Sequence, residues 1–194
     1  MLSLKKIIVI ACSTGGPKAL QEIIPFLDER INCPVIIVQH MTAGFTKTLA
    51  GRLNLISKIP VTESTDCELL ENNHIYIAHA GKHLNIDKAG VNHRIEHSDE
   101  GLRLGVKPCA NFTFESLAGC DFDEVICVVL TGMGSDGAEG IIHLKKYKQI
   151  KVLIQDEESS VVYGMPGSIL KAGIDCKVVK LCDMGKEIVA LTEG

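Results

Sequence analysis

The sequence predicts an α/β fold: a doubly wound, mainly parallel sheet between two helical layers (three-layer α/β/α, Rossmann-like), with an antiparallel hairpin at one edge. Three observations predict it. Residues 7–10, 34–40 and 124–130 carry apolar runs that are continuous rather than alternating, the pattern of strands buried on both faces. Each run is followed, after a short polar or glycine-rich turn, by a segment with apolar residues at helical spacing. Between the second and third runs lie short alternating pieces punctuated by turn residues, which read as antiparallel hairpins.

The first run stops abruptly at Cys12-Ser13-Thr14, and Gly15, Gly16 and Pro17 follow at once. Leu20, Ile23, Ile24 and Leu27 then recur at helical spacing, and Pro17 suits a first helical position. This helix is expected over 17–24, where Pro25 ends or kinks it. The second strand ends at Gln39 and His40, a loop covers 41–44, and 45–56 is helical with Leu49, Leu53 and Ile56 on one face. Residues 61–63 form a short strand. The pieces 75–78, 83–86, 91–96 and 102–104 are expected as the hairpin strands, with turns at 81, 87–90 and 99–101. A helix over 111–118 precedes the third buried strand, the loop 131–137 (TGMGSDG) follows it, and a helix covers 138–146. Strands at 152–155 and 177–181 and helices from Pro166 and over 186–191 complete the chain. No repeat, low-complexity segment or linker interrupts it, so 1–194 is expected to be a single domain.

Composition narrows the function. The chain has 194 residues, 46% hydrophobic and 23% charged, with a formal charge of -4 and no basic block, which argues against nucleic acid as a partner. No apolar run is long enough to span a bilayer, and residues 1–6 lead straight into the first strand without the parts of a signal peptide. The eight cysteines are scattered and form no C-x-x-C pair, so they read as thiols of a cytoplasmic protein. His93 and His97 have the spacing of helical metal ligands. Their segment alternates like a strand and offers no third ligand, so no metal and no cofactor are expected.

Three strand ends carry Ser13, His40 and Asp136, and ligands of open parallel sheets bind at the carboxyl ends of strands. Serine is a weak nucleophile until an imidazole takes its proton, and the imidazole needs a partner on its other nitrogen. Glycines on both sides of Met133 would let that loop approach Ser13 closely enough for a backbone N–H to hold an oxyanion. Each residue also has a plainer role. Ser13 can cap the following helix or belong to an anion-binding turn, His40 can be a hydrogen-bonded strand-end histidine, and Asp136 can cap the helix after Gly137. Cys12, the neighbour of Ser13, is expected to face the core as an inert thiol, because successive strand residues point to opposite sides.

The motifs at 11–16 (ACSTGG), 39–41 (QHM), 44–46 (GFT), 75–78 (IYIA), 130–140 (LTGMGSDGAEG) and 155–156 with 159–166 (SSVVYGMP) resemble the catalytic domain of the CheB family of chemotaxis protein-glutamate methylesterases. The resemblance runs nearly end to end. It implies hydrolysis of glutamate γ-methyl esters on the cytoplasmic domains of chemoreceptors with release of methanol, and glutamine deamidation by related enzymes. By the same matching Ser13 corresponds to the nucleophile, His40 to the base and Asp136 to the third member of a triad. The backbone of Met133 corresponds to the oxyanion donor, and Thr14 lies beside the nucleophile. The family's N-terminal receiver domain has no counterpart in these residues, so the chain is expected to be either a free-standing esterase, served by a separate regulator, or a catalytic domain from which the receiver was removed. Thr42 and His79 stand where the family has proline, and Cys109-Ala110-Asn111 replaces Ser-Val-Asp in a loop expected to border the cleft. Two alternatives stay open: the same chemistry on a non-chemotaxis sensor, and a non-catalytic module that binds an anion at the 13–16 turn.

Overall fold

The computed structural model describes residues 5–193. Residues 1–4, expected to lead into the first strand without a signal peptide, and Gly194 lie outside that range.

The strands are β1 (Lys6–Cys12), β2 (Val35–Gln39), β3 (Val61–Glu63), β4 (Ile75–Ile77), β5 (His83–Ala89), β6 (Asn92–Ser98), β7 (Glu124–Val129), β8 (Gln149–Gln155) and β9 (Lys177–Val179). The helices are α1 (Gly16–Ile23), α2 (Phe45–Asn54), α3 (Ala110–Ser116), α4 (Ala138–Leu144), α5 (Gly164–Lys171) and α6 (Leu181–Thr192). Seven strands form one parallel sheet in the order β3-β4-β2-β1-β7-β8-β9.

The continuous apolar reading of β1 has a simple cause. Ile8, Ile10 and Cys12 pack on one face with Leu20 and Ile23 of α1, Leu49 and Leu53 of α2 and Ile188 of α6. Ile7, Val9 and Ala11 pack on the other with Phe114 of α3, Ile141 of α4 and Ile169 of α5. Burying one large apolar side chain is worth about 1.5–3 kcal/mol, whereas intrinsic strand propensities span only about 1 kcal/mol. Burial therefore decides this strand.

The two halves wind in opposite directions from β1. Helix α1 joins β1 to β2 across one face, while α4 joins β7 to β8 across the other. A crevice opens where the winding reverses, above the carboxyl ends of β2, β1 and β7.

The middle of the chain corrects two expectations. Residues 75–77 are not a hairpin strand; β4 runs parallel between β3 and β2. Tyr76 is buried within it, and its hydroxyl donates to the Leu69 carbonyl and accepts from the Glu71 N–H. Residues 102–104 are not a strand either; Arg103 pairs only with Val106 across a tight turn. The antiparallel hairpin is β5–β6, a sheet of its own, whose Leu84, Ile86 and Ile95 pack beside Tyr76, Phe114 and Leu117. Helix α5 starts at Gly164, two residues before Pro166, and α6 is longer than the 186–191 segment predicted.

Candidate active site

The turn after β1 is held by two main-chain bonds: the Ser13 N–H donates to the Thr131 carbonyl at 3.0 Å and the Gly16 N–H to the Ser13 carbonyl at 2.8 Å. Gly15 is the α1 N-cap, and no side chain caps this helix. Ser13 is therefore not a capping serine. Its hydroxyl makes no hydrogen bond among the described residues, and the residue is half-buried at the crevice. Cys12 faces the core as expected, wholly buried, its thiol donating to Gln39 Oε1 at 3.0 Å and pushed above the ordinary thiol range by burial.

His40 follows β2, and its Nε2 lies 2.7 Å from Asp136 Oδ2. The carboxylate is 2% exposed and receives three more donors: Ala110 N–H at 2.6 Å, Asn111 N–H at 3.0 Å and the Cys109 thiol at 3.0 Å. Burial alone would raise the Asp136 carboxyl. The bonds from His40, Cys109 and Ala110 outweigh it and hold the group below the usual carboxylate range. An ionised carboxylate only accepts, so the proton of this pair sits on His40 Nε2. That leaves the Nδ1 lone pair available as a base. Nδ1 makes no hydrogen bond among the described residues, and none connects Ser13 Oγ to the His40 ring. Such catalytic contacts commonly tighten when substrate binds.

Asp136 is not the cap of its own helix; Gly137 is, with no side-chain cap bond. Instead two helix starts hold each other. Asp136 accepts from the first two N–H groups of α3, and Asn111 Oδ1 returns the exchange to α4 by accepting from Gly137 N–H at 3.0 Å and Gly140 N–H at 2.7 Å. Cys109 and Asn111, expected to border the cleft, lie fully buried beneath it and support the carboxylate. Burial, followed by the nearby Asp136 charge, pushes the Cys109 thiol up to about 12, so it stays protonated and acts as a donor.

The 131–137 loop closes the site from the β7 side. A Cβ on Gly132 would stand 2.8 Å from Ser13 Cβ and 2.3 Å from Met165 Sδ, so only glycine permits this approach. Met133 presents a side chain 71% exposed at the rim. The main-chain N–H groups of Met133 and Thr14 make no hydrogen bond among the described residues, which leaves both free for a developing oxyanion.

Gln39 lies in the 39–41 motif, but the sequence reading assigned it no role. It is 1% exposed, and its Nε2 donates to the carbonyls of Ser13 (3.0 Å) and His40 (2.9 Å) while its Oε1 accepts the Cys12 thiol. One amide thus ties together the strand ends that carry Ser13 and His40. A Cβ on Gly16 would stand 2.0 Å from Gln39 Oε1, so that glycine makes room for the tie. The available signal was a glutamine closing a strand with no exposed face. On the esterase chemistry that the sequence resemblance implies, Gln39→Leu is expected to lower kcat about 10²-fold with a much smaller change in KM, as misplacement of reacting groups does. Steady-state kinetics on a soluble glutamyl methyl ester checks it; an unchanged kcat would remove the positioning role.

Among the described residues no three His, Cys, Asp or Glu side chains are placed to hold a metal ion. His93 lies 2.6 Å from Asp121, and His97 Nε2 lies 2.9 Å from Ser64 Oγ.

Residues 8–188 match the family model described as CheB methylesterase. The chain is 38% identical over 186 residues to a protein-glutamate methylesterase/protein-glutamine glutaminase of Bacillus subtilis, covering 96% of this chain and 52% of that protein. A protein of the same description from Pseudomonas fluorescens is 44% identical over 184 residues, with 95% of this chain and 48% of that protein covered. The chain therefore spans about half the length of the relatives it matches. The crystal structure of the Thermotoga maritima CheB methylesterase catalytic domain superposes with a TM-score of 0.91 at 36% identity, covering 96% of this chain and 98% of that one.

Proposed function

This chain belongs to the CheB methylesterase family, and from that premise we propose that it is a serine esterase hydrolysing L-glutamate γ-methyl esters on the cytoplasmic domains of chemoreceptors. Ser13 Oγ attacks the ester carbonyl as His40 Nδ1 takes its proton. The oxyanion so formed is held by the N–H groups of Met133 and Thr14. His40 then delivers the proton to the departing methoxide, which leaves as methanol. Water, deprotonated by the same nitrogen, attacks the acyl-serine and releases the glutamate carboxylate. Asp136 keeps the imidazole in the required tautomer and stabilises the imidazolium in both halves of the cycle.

The observation that carries this reading is the buried 2.7 Å bond between His40 and Asp136, made at the strand end beside Ser13. A glutamine side chain suits the same steps with ammonia leaving, and relatives named as protein-glutamine glutaminases favour that as a second activity. An anion-binding turn is less well supported. The N–H groups of Ser13 and Gly16 are already spent on main-chain carbonyls, and such a module gives His40 and Asp136 no work. All eight cysteines are free thiols, which supports a reducing compartment, the cytoplasm. Among the described residues, no helix is long and apolar enough to cross a membrane.

The test is methanol release from receptor-containing membranes methylated on glutamate. The expected outcome is release by the purified protein, abolished in His40→Ala. A protein that hydrolyses small esters but leaves methylated receptors untouched would transfer the chemistry to another sensor.

A further inference from the structure

Between β6 and α3 the chain makes a turn that the reaction above does not use. The Arg103 N–H donates to the Val106 carbonyl at 3.4 Å, and the Val106 N–H to the Arg103 carbonyl at 3.1 Å. The two residues between them are both left-handed, Leu104 at φ 54° and Gly105 at φ 77°. A two-residue loop with this backbone selects Asn-Gly or Asp-Gly, and a leucine in its first position is strained. Packing does not offset that strain: Leu104 is 53% exposed and Leu102 is 68% exposed.

The turn is nevertheless rigidly placed. Arg103 makes a two-pronged pair with Glu115 of α3, both contacts at 2.8 Å, reaches Glu139 of α4 at 2.9 Å, and stands 5.4 Å from the Phe112 ring centre. These are the two helices locked together by Asp136 and Asn111, so the turn shares a frame with the triad acid. Its other side faces His40. Leu102, Gly105, Val106 and Lys107 line, with His40, Met41 and Thr42, one cavity of about 360 Å³. Lys107 is already engaged, its ammonium donating to the Glu100 carbonyl at 2.6 Å with Asp99 at 4.0 Å. What this wall offers a ligand is apolar.

The geometry points to the 102–106 turn as the surface that receives the polypeptide flanking the esterified glutamate, with Leu102, which lines the cavity, and the exposed Leu104 at the tip of the same turn taking apolar residues of the substrate segment. The occupant follows from continuity with the site. The cavity is walled by His40, the group that acts on the ester in that reading, so polypeptide next to the ester comes against this wall. The inference rests on the ester-hydrolase reading above and deepens it to a substrate preference. Strain retained at an exposed leucine is the kind of outlier that clusters at binding sites.

The experiment compares two γ-methyl-glutamyl peptides, one with leucines three and four residues from the ester and one with serines there. The wild type is expected to favour the leucine peptide in kcat/KM by about tenfold or more, mainly through KM, the scale of one or two apolar contacts. Leu102→Ser and, separately, Leu104→Asn should each erase most of that preference. Leu104→Asn should at the same time raise Tm by about 2–4 °C by relieving the left-handed strain. A structural defect would not make a more stable protein that discriminates less. A wild type that cleaves both peptides equally, or variants that keep the preference, would overturn the proposal and leave the esterase reading standing. A wild type that cleaves neither peptide would overturn both.

Discussion

Ser13→Ala is expected to lower kcat for glutamyl ester hydrolysis by about 10³-fold or more while leaving Tm within about 2 °C of the wild type. The kinetic loss is large because in the proposed mechanism the hydroxyl oxygen forms and breaks the acyl bond, and no neighbour replaces it. Cys12 is adjacent in sequence, but its thiol is wholly buried, bonded to Gln39 and raised by burial, so it supplies no thiolate. The stability change is small because Ser13 Oγ holds nothing in the fold; the turn is kept by the Ser13 N–H and carbonyl, which alanine retains. A residual rate is expected from the Met133 and Thr14 N–H groups. A fluorophosphonate probe should label the wild type and spare the variant. Labelling that persists, or a rate that does not fall, would place the nucleophile elsewhere.

Asp136→Asn is expected to cost both activity and stability, with kcat about 10⁴-fold lower, as when the triad acid loses its charge and the histidine its tautomer. The carboxylate receives four donors, two on each oxygen: Cys109 and Asn111 on Oδ1, His40 and Ala110 on Oδ2. An amide has one oxygen, so whichever way it turns its NH₂ meets two donors in a dry site. Leaving such groups unpaired costs about 2–4 kcal/mol, which lowers Tm by about 5–15 °C in a chain of this size. The pH dependence has a definite sign. The Asp136 carboxyl titrates below its unfolded value of about 3.9. Its stabilisation is therefore full above about pH 4 and is lost as pH falls through the lower, folded value. The gap in stability between wild type and variant should be constant from pH 7 to about 5 and narrow in stronger acid. Chemical denaturation across that range measures it, and a gap that widened in acid would contradict the ionised, hydrogen-bonded carboxylate.

Much of this molecule was legible in one dimension. The runs at 7–10, 34–40 and 124–130 could be recognised as central strands because residues buried on both faces leave no alternation to misread. The places where those strands end, at Ser13, His40 and just before the 131–137 loop, followed from the same runs. The loss of legibility begins where burial depends on one or two polar contacts. Residues 75–78 were expected as a hairpin strand; they lie in the parallel sheet and Tyr76 is a core residue, its hydroxyl paired with the Leu69 carbonyl and the Glu71 N–H. Residues 102–104 were expected as a hairpin strand, and Leu102 and Leu104 are exposed on a strained turn.

The sequence by itself determined the parallel α/β architecture and which three strand ends hold a serine, a histidine and an aspartate, because hydrophobic periodicity and turn residues are local properties. Only the tertiary structure decided that Asp136 serves His40 and the start of α3 rather than its own helix, that Gln39 joins the strand ends of Ser13 and His40, and that Cys109 and Asn111 lie beneath the site instead of at its border. These are hydrogen bonds that side chains make with other side chains and with main-chain groups, between elements that the packed fold brings together. Spacing along the chain carries no record of such a bond, since its donor and acceptor meet only after the apolar faces have packed.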